Sequence, residues 1–136
     1  MSDEEGIRRT LALYCQLCDD GRFDEWAQLY TEDAVFRVMG QVHVGPTAIK
    51  AFIAEAQPEG RRGKHVAVNP LIEADGDTAR AWTDYIWVGP GEGQFPVTSA
   101  GRYHDRLVRR NGAWLFAERQ IVFMGEDPPD QPSSGL

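Results

Sequence analysis

Three polar residues stand where apolar side chains would be the simpler choice, and together they could move a proton and stabilise the charge it leaves behind. Asp19 occupies the last turn of a helical stretch, where a carboxylate faces the negative end of the helix dipole at a cost of about 0.3–1 kcal/mol. Taken alone, it also reads as a solvated acidic helix end shared with Asp20 and eased by Arg22. His65, in KHVAVNPLIEA, shares its face under strict alternation with Ala67, Asn69 and Leu71, while Val66, Val68 and Ile72 take the other. Such an imidazole is either satisfied by backbone or, with a carboxylate in reach, held in one tautomer with its second nitrogen free as a base near neutral pH. Arg119, in AWLFAERQIVF, falls on the face of Leu115, Ala117, Ile121 and Phe123, so its guanidinium is buried or runs along apolar surface to water. A buried one needs an anion: either Asp105, aligned with Tyr103 and Leu107 on the preceding strand, or a substrate or departing group.

Further candidates surround these three. Tyr14 lies on the apolar stripe of the first helix, where its hydroxyl either packs as a core tyrosine or donates to a developing oxyanion. Asp84 and Trp82, in AWTDYIWV, share a face with Ile86, opposite Tyr85 and Trp87. A strand apolar on both faces has a cavity or core on one side and a partner subunit on the other; Asp84 and Trp82 are candidate pocket-wall residues, with the side left open. His104 alternates with Arg102 and Arg106, a polar pattern that predicts exposure, and His43 gains no role. The three histidines lack metal spacing, so no metal site is expected. Cys15 and Cys18 form a lone CxxC inside a helical stripe and read as core packing. GPGEGQ joins two strands instead of opening a helix at a phosphate, and no GxSxG nucleophile elbow is present. No cofactor is expected.

The elements that must position these groups change period along the chain. Residues 4–20 carry Ile7, Leu11, Tyr14 and Cys18 at helical spacing and stop at Gly21, a residue suited to a left-handed helix end. A second, short helix carries Phe23, Trp26, Leu29 and Tyr30 on one face and ends at Thr31-Glu32-Asp33. AVFRVMGQVHVG reads as two short strands around Gly40, and Gly45-Pro46 opens a third helix with Ile49, Phe52, Ile53 and Ala56 inward. From Lys64 the period is two, giving four long strands jointed at Asp75-Gly76, Gly89–Gln94 and Asn111-Gly112. Helices first and an antiparallel meander afterwards predict an α+β domain over residues 1–124, its curved antiparallel or mixed sheet closed into a cone by three helices. Residues 125–136, rich in Pro, Asp, Ser and Gly, read as a disordered tail.

Composition narrows the function classes. The chain has 136 residues, 14 Lys and Arg against 21 Asp and Glu, and a formal charge of -7, a balance that argues against binding a nucleic-acid backbone. The N-terminus lacks the basic start and apolar run of a secretory signal, and no apolar stretch approaches the roughly 18 residues of a membrane span; a soluble cytoplasmic protein with no membrane partner is expected. The surplus of apolar strand faces predicts a homo-oligomer, dimer or trimer.

In its order of elements the chain resembles the SnoaL-like branch of the nuclear-transport-factor-2-like superfamily over roughly residues 4–124. The resemblance rests on IRRTLALYCQLCDDGRFDEWAQLYTEDAVF, VGPTAIKAFI, KHVAVNPLIE with its His and Asn four apart, and GRYHDRLVRRNGAWLFAER. It implies the cone fold, and a choice among dehydratases, dehydrochlorinases, polyketide cyclases, isomerases, epoxide hydrolases and non-catalytic modules. The chain looks most like the members with an Asp–His dyad, the scytalone dehydratase and hexachlorocyclohexane dehydrochlorinase type. Asp19 and His65 match the dyad, and Arg119 matches or adjoins an arginine that the dehydrochlorinase directs into its pocket. Tyr14 replaces a lysine of that enzyme. A ketosteroid-isomerase-type carboxylate is absent from Phe36, Arg37 and Val38, and no strand carries the Arg-x-Asp of limonene epoxide hydrolase. The resemblance thus implies a cofactor-independent lyase acting by dehydratase-like elimination on a small apolar, aromatic or alicyclic compound. The alternatives are a polyketide cyclase or isomerase and a non-catalytic ligand-binding module. An Asp19–His65 contact facing a cavity of at least roughly 300 Å³ favours the enzyme; a cone filled by Trp82, Trp87 and Phe123 favours the module.

Overall fold

The computed structural model describes residues 1–136. Helix α1 (Asp3–Asp19) begins with a reciprocal capping box: the Ser2 hydroxyl accepts from the Glu5 N–H, and the Glu5 carboxylate accepts from the Ser2 N–H. Its buried stripe is Ile7, Leu11, Tyr14, Cys15 and Cys18. It ends in a Schellman motif, with Gly21 N–H donating to the Cys18 carbonyl and Arg22 N–H to the Leu17 carbonyl while Gly21 takes φ +71°. That stop makes Asp19 the last residue of the helix.

Helix α2 (Phe23–Ala27) is shorter than its apolar pattern suggests. Tyr30 already belongs to strand β1 (Tyr30–Val38), and Thr31, Glu32 and Asp33 continue that strand instead of terminating a helix. Pairing decides this: Tyr30 lies beside Phe116, whose N–H donates to the Leu29 carbonyl. Strand β2 (Gln41–Val44) folds back on β1, and α3 (Pro46–Ala56) follows with proline in its first turn. Strands β3 (Lys64–Asp75), β4 (Thr78–Val88), β5 (Val97–Arg110) and β6 (Ala113–Phe123) complete the sheet. The β5–β6 turn has both Asn111 and Gly112 at positive φ, the geometry that an Asn-Gly hairpin favours.

The sheet order is β2-β1-β6-β5-β4-β3, antiparallel except where β1 runs parallel to β6. The result is an open, curved, mixed six-stranded sheet with the three helices on its concave side, the α+β architecture expected. Helix α1 lies against β3 and β6, and α3 against β1 and β2.

Two bulges reset which residues face inward. On β3, Val68 pairs with Asp84 and Leu71 with Trp82, leaving Asn69 and Pro70 opposite Thr83 alone; Asn69 takes φ +54°, and Pro70 has no N–H to donate. After this bulge Ile72, not Asn69 or Leu71, joins Ala67 against the core, and Leu71 is 56% exposed. On β6, Glu118 pairs with Arg106 but Phe116 with Leu107, so Ala117 is the extra residue. Arg119 therefore shares its inward face with Trp114 and Phe116 before the bulge, not with Leu115 and Ala117, and with Ile121 and Phe123 after it.

Residues 125–136 form no helix or strand. Asp130 docks on the outer face of the sheet against Arg80, Trp82 and His104. That contact buries His104 to 6% exposure, against the exposure expected from its alternation with arginines. No helix is long and apolar enough to cross a membrane.

Candidate active site

The end of α1 meets the start of β3, and Asp19 meets His65 there. The His65 N–H donates to both Asp19 carboxylate oxygens at 3.1 Å, and the ring Nδ1–H donates to Oδ1 at 2.6 Å. Three donated contacts from one residue offset the unfavourable helix dipole and the burial of both side chains, which are 6% and 8% exposed. A carboxylate only accepts, so the proton must sit on Nδ1. Nε2 then carries a lone pair and engages no protein group. The imidazole stands between Tyr14, with ring centres 6.0 Å apart, and its cross-strand partner Trp87, at 6.4 Å.

Arg119 lies deeper. It is 1% exposed and makes two parallel hydrogen bonds to Asp105, Nε to Oδ1 at 2.7 Å and Nη2 to Oδ2 at 2.8 Å. Its anion is therefore the structural candidate, Asp105. Three rings close around the guanidinium: Tyr103 at 3.8 Å, Tyr14 at 4.1 Å and Phe116 at 4.3 Å from the ring centres. Burial would lower the arginine pKa, but the Asp105 charge and hydrogen bonds outweigh it and raise it. Burial also pushes the Asp105 carboxyl up, against the pull of Arg119; both carboxyl oxygens accept from the guanidinium, which keeps its charge. Burial keeps Tyr14 protonated far above its usual range, with Arg119 partly opposing the shift.

Tyr14 links the two layers, since its ring touches both His65 and the Arg119 cage. Trp82 and Asp84 do not join them. Thr83, Tyr85 and Trp87 point into the concave side, so alternation sends Trp82 and Asp84 outward. Asp84 there accepts from Arg102 Nε at 2.6 Å, and Trp82 donates to Asp130. Sequence reasoning missed Thr83 and Trp87 as interior polar groups. Their signal was the apolar face opposite Asp84, and an independent reason to choose that face was lacking.

The interior is densely aromatic, with Tyr14, Trp26, Tyr30, Phe36, Tyr103 and Phe116 all under 5% exposed. Trp87 and Phe123 only edge this core, and Trp82 lies outside it. Five buried polar atoms there lack a protein partner: Trp26 Nε1, Tyr30 Oη, Thr83 Oγ1, Trp87 Nε1 and Arg119 Nη1. An unsatisfied buried group costs about 1–3 kcal/mol. Clefts of about 620, 360, 430, 570 and 120 Å³ open elsewhere and are lined by other residues than Asp19, His65 and Arg119. No group of three or more His, Cys, Asp or Glu is arranged to hold a metal. Cys15 and Cys18 are buried free thiols.

The open curved mixed sheet with three helices on its concave face is the nuclear-transport-factor-2-like fold. The SnoaL-like domain model matches residues 1–120, and the chain belongs to that family. Among solved structures, a Mycobacterium tuberculosis protein of unknown function is 27% identical with a TM-score of 0.84, over 89% of this chain and 71% of that one. A Novosphingobium aromaticivorans protein described as nuclear-transport-factor-2-like with a cystatin-like fold is 25% identical, TM-score 0.81, over 90% and 82%. A second protein of that bacterium, provisionally assigned as a scytalone dehydratase, is 19% identical, TM-score 0.81, over 96% and 95%, a likeness of fold alone. A search of curated proteins returns no match.

Proposed function

We propose that this chain is a cofactor-independent lyase of the dehydratase kind, acting on a small alicyclic or aromatic compound that carries a carbonyl and a β-hydroxyl. His65, oriented by Asp19, takes the proton from the carbon beside the carbonyl through Nε2. The released electron pair forms the new C=C bond as the hydroxyl departs, and that hydroxyl leaves as water after receiving a proton. Tyr14, which burial keeps protonated, is the donor for the departing or carbonyl oxygen. Arg119 supplies fixed positive charge beneath it, and its buried Nη1 amino group has no protein partner. The observation that carries the reading is the 2.6 Å Asp19–His65 contact with Nε2 unpaired. The unpartnered Thr83 Oγ1 and Trp87 Nε1 support an oxygen-bearing ligand.

A panel of cyclic β-hydroxyketones, followed by the absorbance of the conjugated product, tests this. His65→Ala is expected to lose about 10²–10⁴-fold in kcat while binding the turned-over compound with little change. Turnover by His65→Ala at the wild-type rate would remove the proposal.

The absence of Asp19 and His65 from the walls of the five clefts favours a second reading, a non-catalytic ligand-binding module in which Asp19–His65 is a buried polar pair. That reading expects ligand binding without turnover by wild type, and equal affinity in His65→Ala.

A further inference from the structure

The outer face of the sheet holds a second constellation, unrelated to the dyad. Two donors converge on Oδ1 of Asp130, Trp82 Nε1–H at 2.8 Å and His104 Nδ1–H at 2.8 Å, and Arg80 Nη2 donates to Oδ2. The receiving groups are built into the sheet: His104 pairs with Trp82 across β4 and β5, and Arg80 with Arg106. The His104 and Trp82 residues are 6% and 3% exposed, and the Arg80 guanidinium lies 5.5 Å from the Trp82 ring centre. Arg106 and Pro129 line the same small cleft, of about 120 Å³.

The C-terminal segment reaches this site along a defined course. It turns at the end of β6, where the Phe123 N–H donates to the Glu126 carboxylate at 2.7 Å. It then crosses β5 and β4 at Asp130, and the Ser133 N–H donates to Glu73 of β3 at 3.2 Å. An irregular segment thus lies across four strands, held at Glu126, Asp130 and Ser133. The segment covers the indole and imidazole N–H groups, which would be costly to cover without an acceptor, and both find theirs on one carboxylate.

We propose that Arg80, Trp82 and His104 form a carboxylate-recognition site whose ligand is an aspartate in an acidic, proline-flanked peptide. Asp130 supplies it in cis, and the same peptide fills the site in trans once Asp130 is removed. Glu126-Asp127-Pro128-Pro129-Asp130 is the tethered form of the ligand. A short tether gives an effective concentration in roughly the millimolar range, so the strap excludes weaker free carboxylates. Occupancy also has an inner neighbour, because His104 and Asp105 are consecutive on β5 and point to opposite faces, and Asp105 holds Arg119.

The test uses full-length wild type, Asp130→Asn and Asp130→Asn/His104→Ala, with a synthetic peptide of residues 125–136. Wild-type residues 127–133 are expected to show backbone ¹⁵N relaxation as restrained as the sheet. Asp130→Asn frees them and speeds proteolysis of the segment about 10–100-fold. Millimolar wild-type peptide is then expected to shift the Trp82 indole and His104 imidazole resonances of Asp130→Asn. The same peptide carrying Asn in place of Asp130 does not shift them, and the double variant's Trp82 indole does not respond to the wild-type peptide. Unrestrained wild-type residues 127–133, a proteolysis rate unchanged by Asp130→Asn, or peptide that shifts neither resonance would each overturn the proposal. So would acetate shifting both resonances as strongly as the peptide at equal concentration, since the site would then recognise any carboxylate.

Discussion

A carboxylate at the C-terminal end of a helix works against the helix dipole, and Asp19 tolerates that position because His65 delivers a backbone and a ring N–H to it. The anomaly visible in the residue type is thus explained by its partner. Arg119 shows the complementary case, a buried cation that needs an anion and has one in Asp105. Breaking a buried pair by removing one member costs about 3–5 kcal/mol, whereas replacing both by apolar groups is often near neutral. Arg119→Met is therefore expected to lose about 3–5 kcal/mol in urea denaturation, and Arg119→Met/Asp105→Leu to recover most of it. If the double variant is as unstable as the single one, the ion pair is not the source of the loss.

At the scale of elements, the Schellman stop of α1 decides where Asp19 lies. Gly21 needs φ +71°, and a Cβ there would sit 2.4 Å from the Arg62 guanidinium carbon. Gly21→Ala is expected to destabilise by about 1–2 kcal/mol and to lower activity further by moving Asp19; an unchanged urea midpoint would show that the helix end is not held this way. This stop was legible in the sequence, as were the strand periods and both Gly-containing hairpins, because each is a local signal. The bulges were not. Strict alternation put Asn69 and Leu71 beside His65, and Leu115 and Ala117 beside Arg119. One extra residue in each strand, at Asn69-Pro70 and at Ala117, reverses those faces, and only cross-strand pairing shows where it falls. Asn69-Pro70 was the one hint, since a proline cannot donate within a sheet. The side taken by Trp82 and Asp84, and the docking of Asp130 seven residues beyond β6, depend likewise on contacts distant in sequence.

Across the whole molecule, the interior collects groups that resist ionisation. Burial pushes the Cys15 thiol up to about 11 and the Cys18 thiol up to about 12, from an ordinary 9.0. It also raises the Tyr14, Tyr30 and Tyr103 phenols well above their ordinary 10.0. For acids whose folded pKa is raised, stability is complete below the unfolded pKa and declines above it, because the unfolded chain releases its protons first. Each such group costs about 1.4 kcal/mol per pH unit until the folded value is reached. For these groups the urea midpoint is expected to be level from pH 7 to 8.5 and to fall steeply between pH 9 and 11. A midpoint that holds to pH 11 would contradict a core closed around these thiols and phenols. The same closed core holds the Asp19–His65 pair beside a caged arginine, and the role proposed for His65 is that of a base.

Asp19→Asn addresses that claim most directly. An amide in this position keeps its carbonyl for the His65 N–H and turns its NH₂ toward the ring, which places the imidazole proton on Nε2 and disables the base. The account predicts a fall of about 10⁴-fold in kcat for elimination on the β-hydroxyketone panel, with ¹⁵N resonances showing the His65 proton moved from Nδ1 to Nε2. Wild-type turnover by Asp19→Asn, or no turnover of any compound by wild type, would contradict it.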